Sequence, residues 1–288
     1  MVQIINVCYD ARMARDKQKG RPKFRPGQIS PKVTALKEAR RTEKTGWDNL
    51  SDWYKGWAGG GHNFHKQFAL PHMKEAMALK KGMRVIDLGC GAGVLRTVVE
   101  KSGGEYVGVD KAPGMIREGK DIASKEGSKA LFFVSDTALP KGIALPTFAT
   151  KDKFDCATFL FSIQDIDDHR AAFKNAARLL KSGGRLVVFM LHPAFRIPRM
   201  SGWGTDEGRK LTYRRMDRYK SEVTIPLPQK TGGQTQVTSF FYHRPLDSYT
   251  GALKDAGFVV ENIQEIYTGT HGVDTEFPHF MLISAKLS

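Results

Sequence analysis

No apolar stretch approaches the roughly 18 residues that a membrane-spanning helix needs, and Val2–Tyr9 is too short and lacks the basic flank of a signal peptide. A soluble protein with no membrane partner is expected. Cysteine is scarce: Cys8, Cys90 and Cys156 lie far apart and form no CxxC, which argues against a disulfide framework or zinc ribbon and suggests a reducing, cytoplasmic compartment. His62 and His65 have no Cys, Asp or Glu nearby to complete a plausible ligand set, so no metal is expected. Repeats and low-complexity tracts are absent too. Acidic residues are in the minority, 30 Asp+Glu against 45 Lys+Arg, and the resulting +15 is unevenly placed. Residues 1–45 carry +8 and residues 196–220 carry +5, leaving +2 for the rest. Such clustering points to an anionic partner near two segments, either nucleic acid or an acidic small molecule; for the first segment a solvated tail is the alternative.

What is present is a core. At 288 residues and 41% hydrophobic, the chain fits one large domain with an extension. Residues 1–45 mix charge with Gly and Pro and read as a largely irregular arm, within which a short basic helix is plausible from Pro31 to Lys44. Residues 46–80 read as a helical cover, with Trp47, Leu50, Trp53, Tyr54 and Trp57 at helical spacing before Gly59-Gly60-Gly61 and a second helix from about His65 to Leu79. From residue 81 strand and helix alternate. Apolar runs at 84–88, 106–109, 131–134, 154–161 and 185–191 read as buried parallel strands, with helices at 94–101, 112–126 and 169–180 between them. The rhythm stops at 192–245, an insertion rich in Arg, Tyr and Trp with paired strands expected at 211–224 and 236–243, placed as a lid. A helix at 246–256 and strands at 258–267 and 278–287 close the domain. The fold class is therefore α/β: a doubly wound, mostly parallel seven-stranded sheet with an antiparallel lid insertion after the fifth strand.

The strand Arg84-Val85-Ile86-Asp87-Leu88 runs into Gly89-x-Gly91-x-Gly93, where glycines permit a tight turn and leave room for a ligand. A dinucleotide fingerprint would need Gly or Ala at 94, and the chain has Val94. Tyr106-Val107-Gly108-Val109-Asp110 is a second strand ending in a carboxylate at the distance suited to bridging a ribose diol. Leu131–Val134 then leads to Ser135-Asp136-Thr137-Ala138-Leu139-Pro140. Singly, Asp110 and Asp136 also read as strand-end turn residues.

In this order the motifs resemble class I S-adenosylmethionine-dependent methyltransferases, the small-molecule branch, over roughly residues 46–288; Leu179-Leu180-Lys181-Ser182-Gly183-Gly184 resembles that family's turn into its fifth strand. The resemblance implies a Rossmann-like domain binding S-adenosyl-L-methionine, with S-adenosyl-L-homocysteine as product. It implies that Asp87 orders the loop, that Gly89, Cys90, Gly91 and Gly93 line it, and that Asp110 with Lys111 takes the ribose. Asp136 and Thr137 would meet the adenine, Tyr54 the cofactor carboxylate, and Phe161 and Gln164 the methyl donor. His192, directly after the fifth strand, is the candidate general base, a backbone-bonded structural histidine being the alternative. His65, Trp203, Tyr213, Arg214, Tyr219 and His243 are candidates to contact substrate, Arg214 or Arg215 through a carboxylate or phosphate. Methylation of a small molecule at O, N or C is the preferred activity. RNA methylation by the basic arm and lid is the alternative, although Phe161-Ser162-Ile163-Gln164 lacks the Asn/Asp-Pro-Pro-aromatic pattern of amino-directed nucleic-acid enzymes. A cofactor-binding scaffold without catalysis is a third reading.

Overall fold

A computed structural model describes residues 65–230, 236–269 and 275–288. The arm, the cover before His65 and Tyr54 lie outside the described residues. A π-helical turn, His65–Ala69, opens into α1 (Leu70–Met77). The strand-helix series is then β1 (Arg84–Leu88), α2 (Arg96–Lys101), β2 (Glu105–Asp110), α3 (Pro113–Lys125), β3 (Leu131–Val134), α4 (Thr147–Thr150), β4 (Phe154–Leu160), α5 (His169–Leu179) and β5 (Leu180–Leu191). After β5 come β6 (Ser201–Asp206), β7 (Leu211–Met216), β8 (Val223–Lys230), β9 (Gln236–His243), α6 (Leu246–Asp255), β10 (Phe258–Ile266) and β11 (Phe280–Leu287).

Seven strands form one sheet in the order β10-β11-β5-β4-β1-β2-β3, as the alternating pattern requires. β1 to β5 pair in parallel, and β11 runs antiparallel to both β5 and β10. Side chains alternate across the sheet, so two cores form. Val85, Leu160 and Val187 pack with Met73 and Met77 of α1 and Val99 of α2. Ile86, Leu88 and Val188 pack on the opposite face with Phe173 of α5 and Tyr249 and Leu253 of α6. β1 is flanked by β2 on one side and β4 on the other, which makes the carboxyl ends of β1 and β4 the point where the strand order reverses. Ligands of open α/β sheets bind at such a point.

The lid differs from expectation. Residues 211–224 are not one strand: β7 pairs with β6, and β8 pairs separately with β9, giving two hairpins. β6 is hidden in the sequence because Ser201-Gly202-Trp203-Gly204 has the composition of a turn. Its glycine is accommodated by an aromatic partner, since a Cβ on Gly204 would lie 2.5 Å from Cζ of Tyr213.

Candidate active site

The first loop wraps over the end of β2. The amides of Gly89 and Cys90 both donate to the carbonyl of Val109, at 2.8 and 3.0 Å. The Gly91 amide donates to Oδ2 of Asp110 at 2.8 Å, and the Ala112 amide to Oδ1, also at 2.8 Å. Two backbone donors thus fix the plane of the carboxylate beside the loop, the orientation a pair of vicinal hydroxyls requires. Gly89, Gly91 and Gly93 all have positive φ, at 72°, 55° and 78°. Gly89 and Gly93 are also closed in, because added Cβ atoms would meet Ser162 at 2.4 Å and Phe132 at 2.6 Å. At Gly91 nothing among the described residues lies within 4 Å. This opening beside a fixed carboxylate has room and an acceptor for the ribose end of S-adenosylmethionine.

Asp87 works from behind. It is 1% exposed and accepts from the Tyr106 hydroxyl at 2.9 Å and the Thr158 hydroxyl at 2.8 Å, joining β1 to both neighbouring strands. Burial raises its carboxyl to about 6. Cys90 contributes backbone only; its sulfur packs over Gly108, 2.8 Å from where a Cβ would be, and burial pushes the thiol well up. Asp136 accepts from the Ala138 amide at 2.9 Å and pairs with Lys111 at 2.9 Å, so Lys111 steadies this carboxylate across the ends of β2 and β3.

A residue outside the expected set fixes the turn after β3. Asn175 of α5, 1% exposed, donates to the carbonyls of Thr137 and Leu139, both at 2.9 Å. The signal was present, since Asn175 falls on the stripe marked by Ala172, Phe173 and Ala176. Asn175→Ala is expected to remove the donor to the Thr137 carbonyl and leave the Leu139 carbonyl with the Gly142 amide alone, lowering stability by about 1–3 kcal/mol and weakening adenosine binding; urea denaturation and calorimetry check both effects.

Several candidates have other duties. Phe161 is fully buried against Phe189, Phe280 and His65, ring centroids 5.0, 5.4 and 5.3 Å away, and so lies under the cover instead of facing the methyl donor. His65 is likewise buried in that cluster. His192 has both ring nitrogens engaged: Nε2 lies 3.0 Å from Glu265, and Nδ1 faces the amides of Ala194 and Phe195 at 3.2 and 3.4 Å. With its lone pair on backbone amides, it has the bonding of a structural histidine, contrary to the base expected there. Arg214 donates to the Phe195 carbonyl and to Ser201 Oγ and lies over Trp203, whose ring packs edge-on to Phe277. Tyr213 is 48% exposed. The Tyr219 hydroxyl accepts from the Leu246 amide, and its carbonyl lies 2.8 Å from His243 Nε2. These lid residues serve mainly to pack and tie the lid, because a small two-stranded layer must supply its own core.

The decisive comparison covers most of the chain: the family described as "Methyltransferase domain" matches residues 62–263. The chain belongs to this methyltransferase family. As a class I S-adenosylmethionine-dependent methyltransferase it has relatives among quinone-biosynthesis enzymes. It is 37% identical over 115 residues to a demethylmenaquinone methyltransferase of Corynebacterium glutamicum, covering 40% of this chain and 44% of that one. It is 28% identical over 129 residues to a ubiquinone biosynthesis O-methyltransferase of Coxiella burnetii, covering 44% and 51%. The chain thus spans about half the length of the curated relatives it matches. An S-adenosylmethionine-dependent methyltransferase from Mesorhizobium loti shares the fold, with a TM-score of 0.59 and 24% identity over 75% of this chain and 96% of that one.

Buried ionisable groups give this methyltransferase a defined acid response. Burial lowers His65 and His169 to about 4 and His279 to about 3, from 6.5, and lowers His192 and His243 as well. Their contribution to stability is complete above 6.5 and is lost as pH falls towards these values. Asp87, at about 6, and Asp165, at about 7, act in the opposite sense, stabilising below 3.8 and losing that contribution as pH rises. The histidines outnumber the carboxyls. Urea midpoints are therefore expected to rise between pH 4 and pH 6.5.

Proposed function

We propose that the chain moves the methyl group of S-adenosylmethionine to an oxygen, nitrogen or carbon of a small molecule that is anionic or aromatic. The observation that carries this reading is the Gly91 amide on Asp110 at 2.8 Å beside an open glycine position, at the end of the strand next to the switch point. When bound, the cofactor supplies an electrophilic methyl on a sulfonium sulfur. Transfer from it is an in-line displacement, so the protein's contribution is chiefly alignment and exclusion of water. Asp110, held by the Gly91 amide, would take the ribose, and Asp136, Thr137 and Lys111 would line the adenine side. Gln164, fixed by the Leu191 amide at 2.9 Å, stands between the ends of β4 and β5.

A small acceptor is supported by the matched relatives, both of which are named for quinone intermediates. The basic lid supports an anionic group on it. RNA methylation, drawn from charge alone, is tested directly. The full chain is incubated with methyl-labelled S-adenosylmethionine and either a metabolite extract or total RNA, at two salt concentrations. Label in the metabolites and none in RNA is expected. RNA labelling that falls steeply with salt, with a log–log slope of about −0.7 per phosphate contact, would overturn the small-molecule reading.

A further inference from the structure

Two buried polar atoms just beyond β4 have no hydrogen-bond partner among the described residues: Nε2 of Gln164 and Oδ1 of Asp165. Gln164 is 1% exposed, and its own oxygen accepts from the Leu191 amide, so its donor end is directed away from that bond with β5. Both residues belong to the single turn Ile163–Asp165, which is pinned from several sides. Ser162 Oγ donates to the Leu88 carbonyl at 2.6 Å, and the Asp165 amide to the Ser162 carbonyl at 2.9 Å. Arg244 donates to the carbonyls of Ile166 and Asp167 at 2.8 and 2.7 Å. The turn begins at Phe161, a non-glycine residue at φ 55°. A pinned turn that carries an unmet donor and an unmet acceptor on consecutive residues, at the strand-order reversal, is the form of a site completed by ligand.

Resting on the methyltransferase reading above, we propose that Asp165 is the general base that takes the proton from a hydroxyl of the small-molecule acceptor, while Gln164 Nε2 donates to a neighbouring acceptor oxygen. The acceptor O–H bond breaks and its proton passes to Oδ1 of Asp165. The oxygen's electron pair forms the new O–CH3 bond as the S–CH3 bond breaks, leaving its electrons on sulfur. Asp165 then releases the proton to water.

The surroundings suit a base working near neutrality. Burial raises the Asp165 carboxyl to about 7, and the negative charge of Asp110 adds to the rise. Tyr249 from α6 lies within electrostatic range, and Arg244, after β9, is committed to the carbonyls of Ile163, Ile166 and Asp167. His169 at the start of α5 lies against Ser248, and His192 after β5 against Glu265.

The test needs no known acceptor for its first half. Calorimetry of the full chain at pH 7, in buffers of differing ionisation heat, compares S-adenosylmethionine with S-adenosylhomocysteine. A sulfonium beside Asp165 favours its ionised form, so the first ligand is expected to release up to about half a proton more than the second. Asp165→Asn is expected to bind both ligands and to lose the difference. The second half uses 3,4-dihydroxybenzoate as hydroxyl acceptor: the Asn variant is expected to turn over ~100-fold more slowly and to lose the rise of rate through pH 7. Equal proton release in wild type and variant, unchanged turnover in the variant, or no methylation of this probe by the wild type would each overturn the assignment. Asp165→Ala reads the same way if the Asn variant fails to fold. A wild type that binds neither ligand overturns the underlying methyltransferase reading instead.

Discussion

Asp110→Ala is expected to weaken S-adenosylhomocysteine binding about 100-fold while the domain stays folded. The carboxylate is oriented by the amides of Gly91 and Ala112, both at 2.8 Å, so a ribose diol meets a pre-set bidentate acceptor and not a mobile side chain. Charge-assisted hydrogen bonds contribute about 1.5–3 kcal/mol each, and two of them at the lower bound give about 3 kcal/mol, or ~100-fold in affinity. Part of the loss comes through the loop, whose Gly91 amide is released when the carboxylate goes. Asp110→Asn separates the two contributions, because it keeps an oxygen for one amide and removes the charge. Calorimetry on both variants is the check; unchanged affinity in a folded Ala variant would remove Asp110 from the site.

Gly89→Ala is expected to act on folding and binding together. The added methyl would lie 2.4 Å from Cβ and 2.9 Å from Oγ of Ser162, on a backbone at φ 72°. Left-handed conformation costs a non-glycine residue about 1–2 kcal/mol, and overpacking adds about 1–3 kcal/mol. Relief requires moving Ser162, which holds the Leu88 carbonyl at 2.6 Å and begins the turn that carries Gln164. A loss of about 2–5 kcal/mol in urea denaturation, with cofactor affinity at least tenfold lower, is expected. Gly91→Ala is the control, since its Cβ meets no atom of the described residues within 4 Å; it is expected to suffer the backbone strain alone and to hinder ligand instead of core.

These two glycines show what the sequence makes legible and what it does not. The strand-turn-helix pattern around residues 84–101 locates the loop, and alternation of apolar runs with helices locates the sheet, because both depend on local periodicity. The short range of those signals is also their limit. α2 starts at Arg96, two residues later than the apolar pattern suggests, since the turn that closes on the Gly93 carbonyl takes the intervening residues. The lid hairpins were misread because β6 carries two glycines, and its pairing to β7 depends on Tyr213 covering one of them. The same limit applies to side-chain roles. Phe161, His192 and Arg214 have the chemistry expected of a site, but their partners Phe280, Glu265 and the Phe195 carbonyl come from contacts that no local spacing records. Tyr106 and Thr158, which brace Asp87, and Asn175, which braces the turn after β3, are hidden for the same reason.

The central claim is that one cleft at the carboxyl ends of β1, β2 and β4 holds the methyl donor. The most direct test is a crystal structure of the full chain with S-adenosylhomocysteine. Both ribose hydroxyls are expected within hydrogen-bonding distance of Asp110, the adenine beside Asp136 and Thr137, and the sulfur on the side of the turn Ile163–Asp165. A ligand bound elsewhere on the chain, or bound with its ribose away from Asp110, would contradict it.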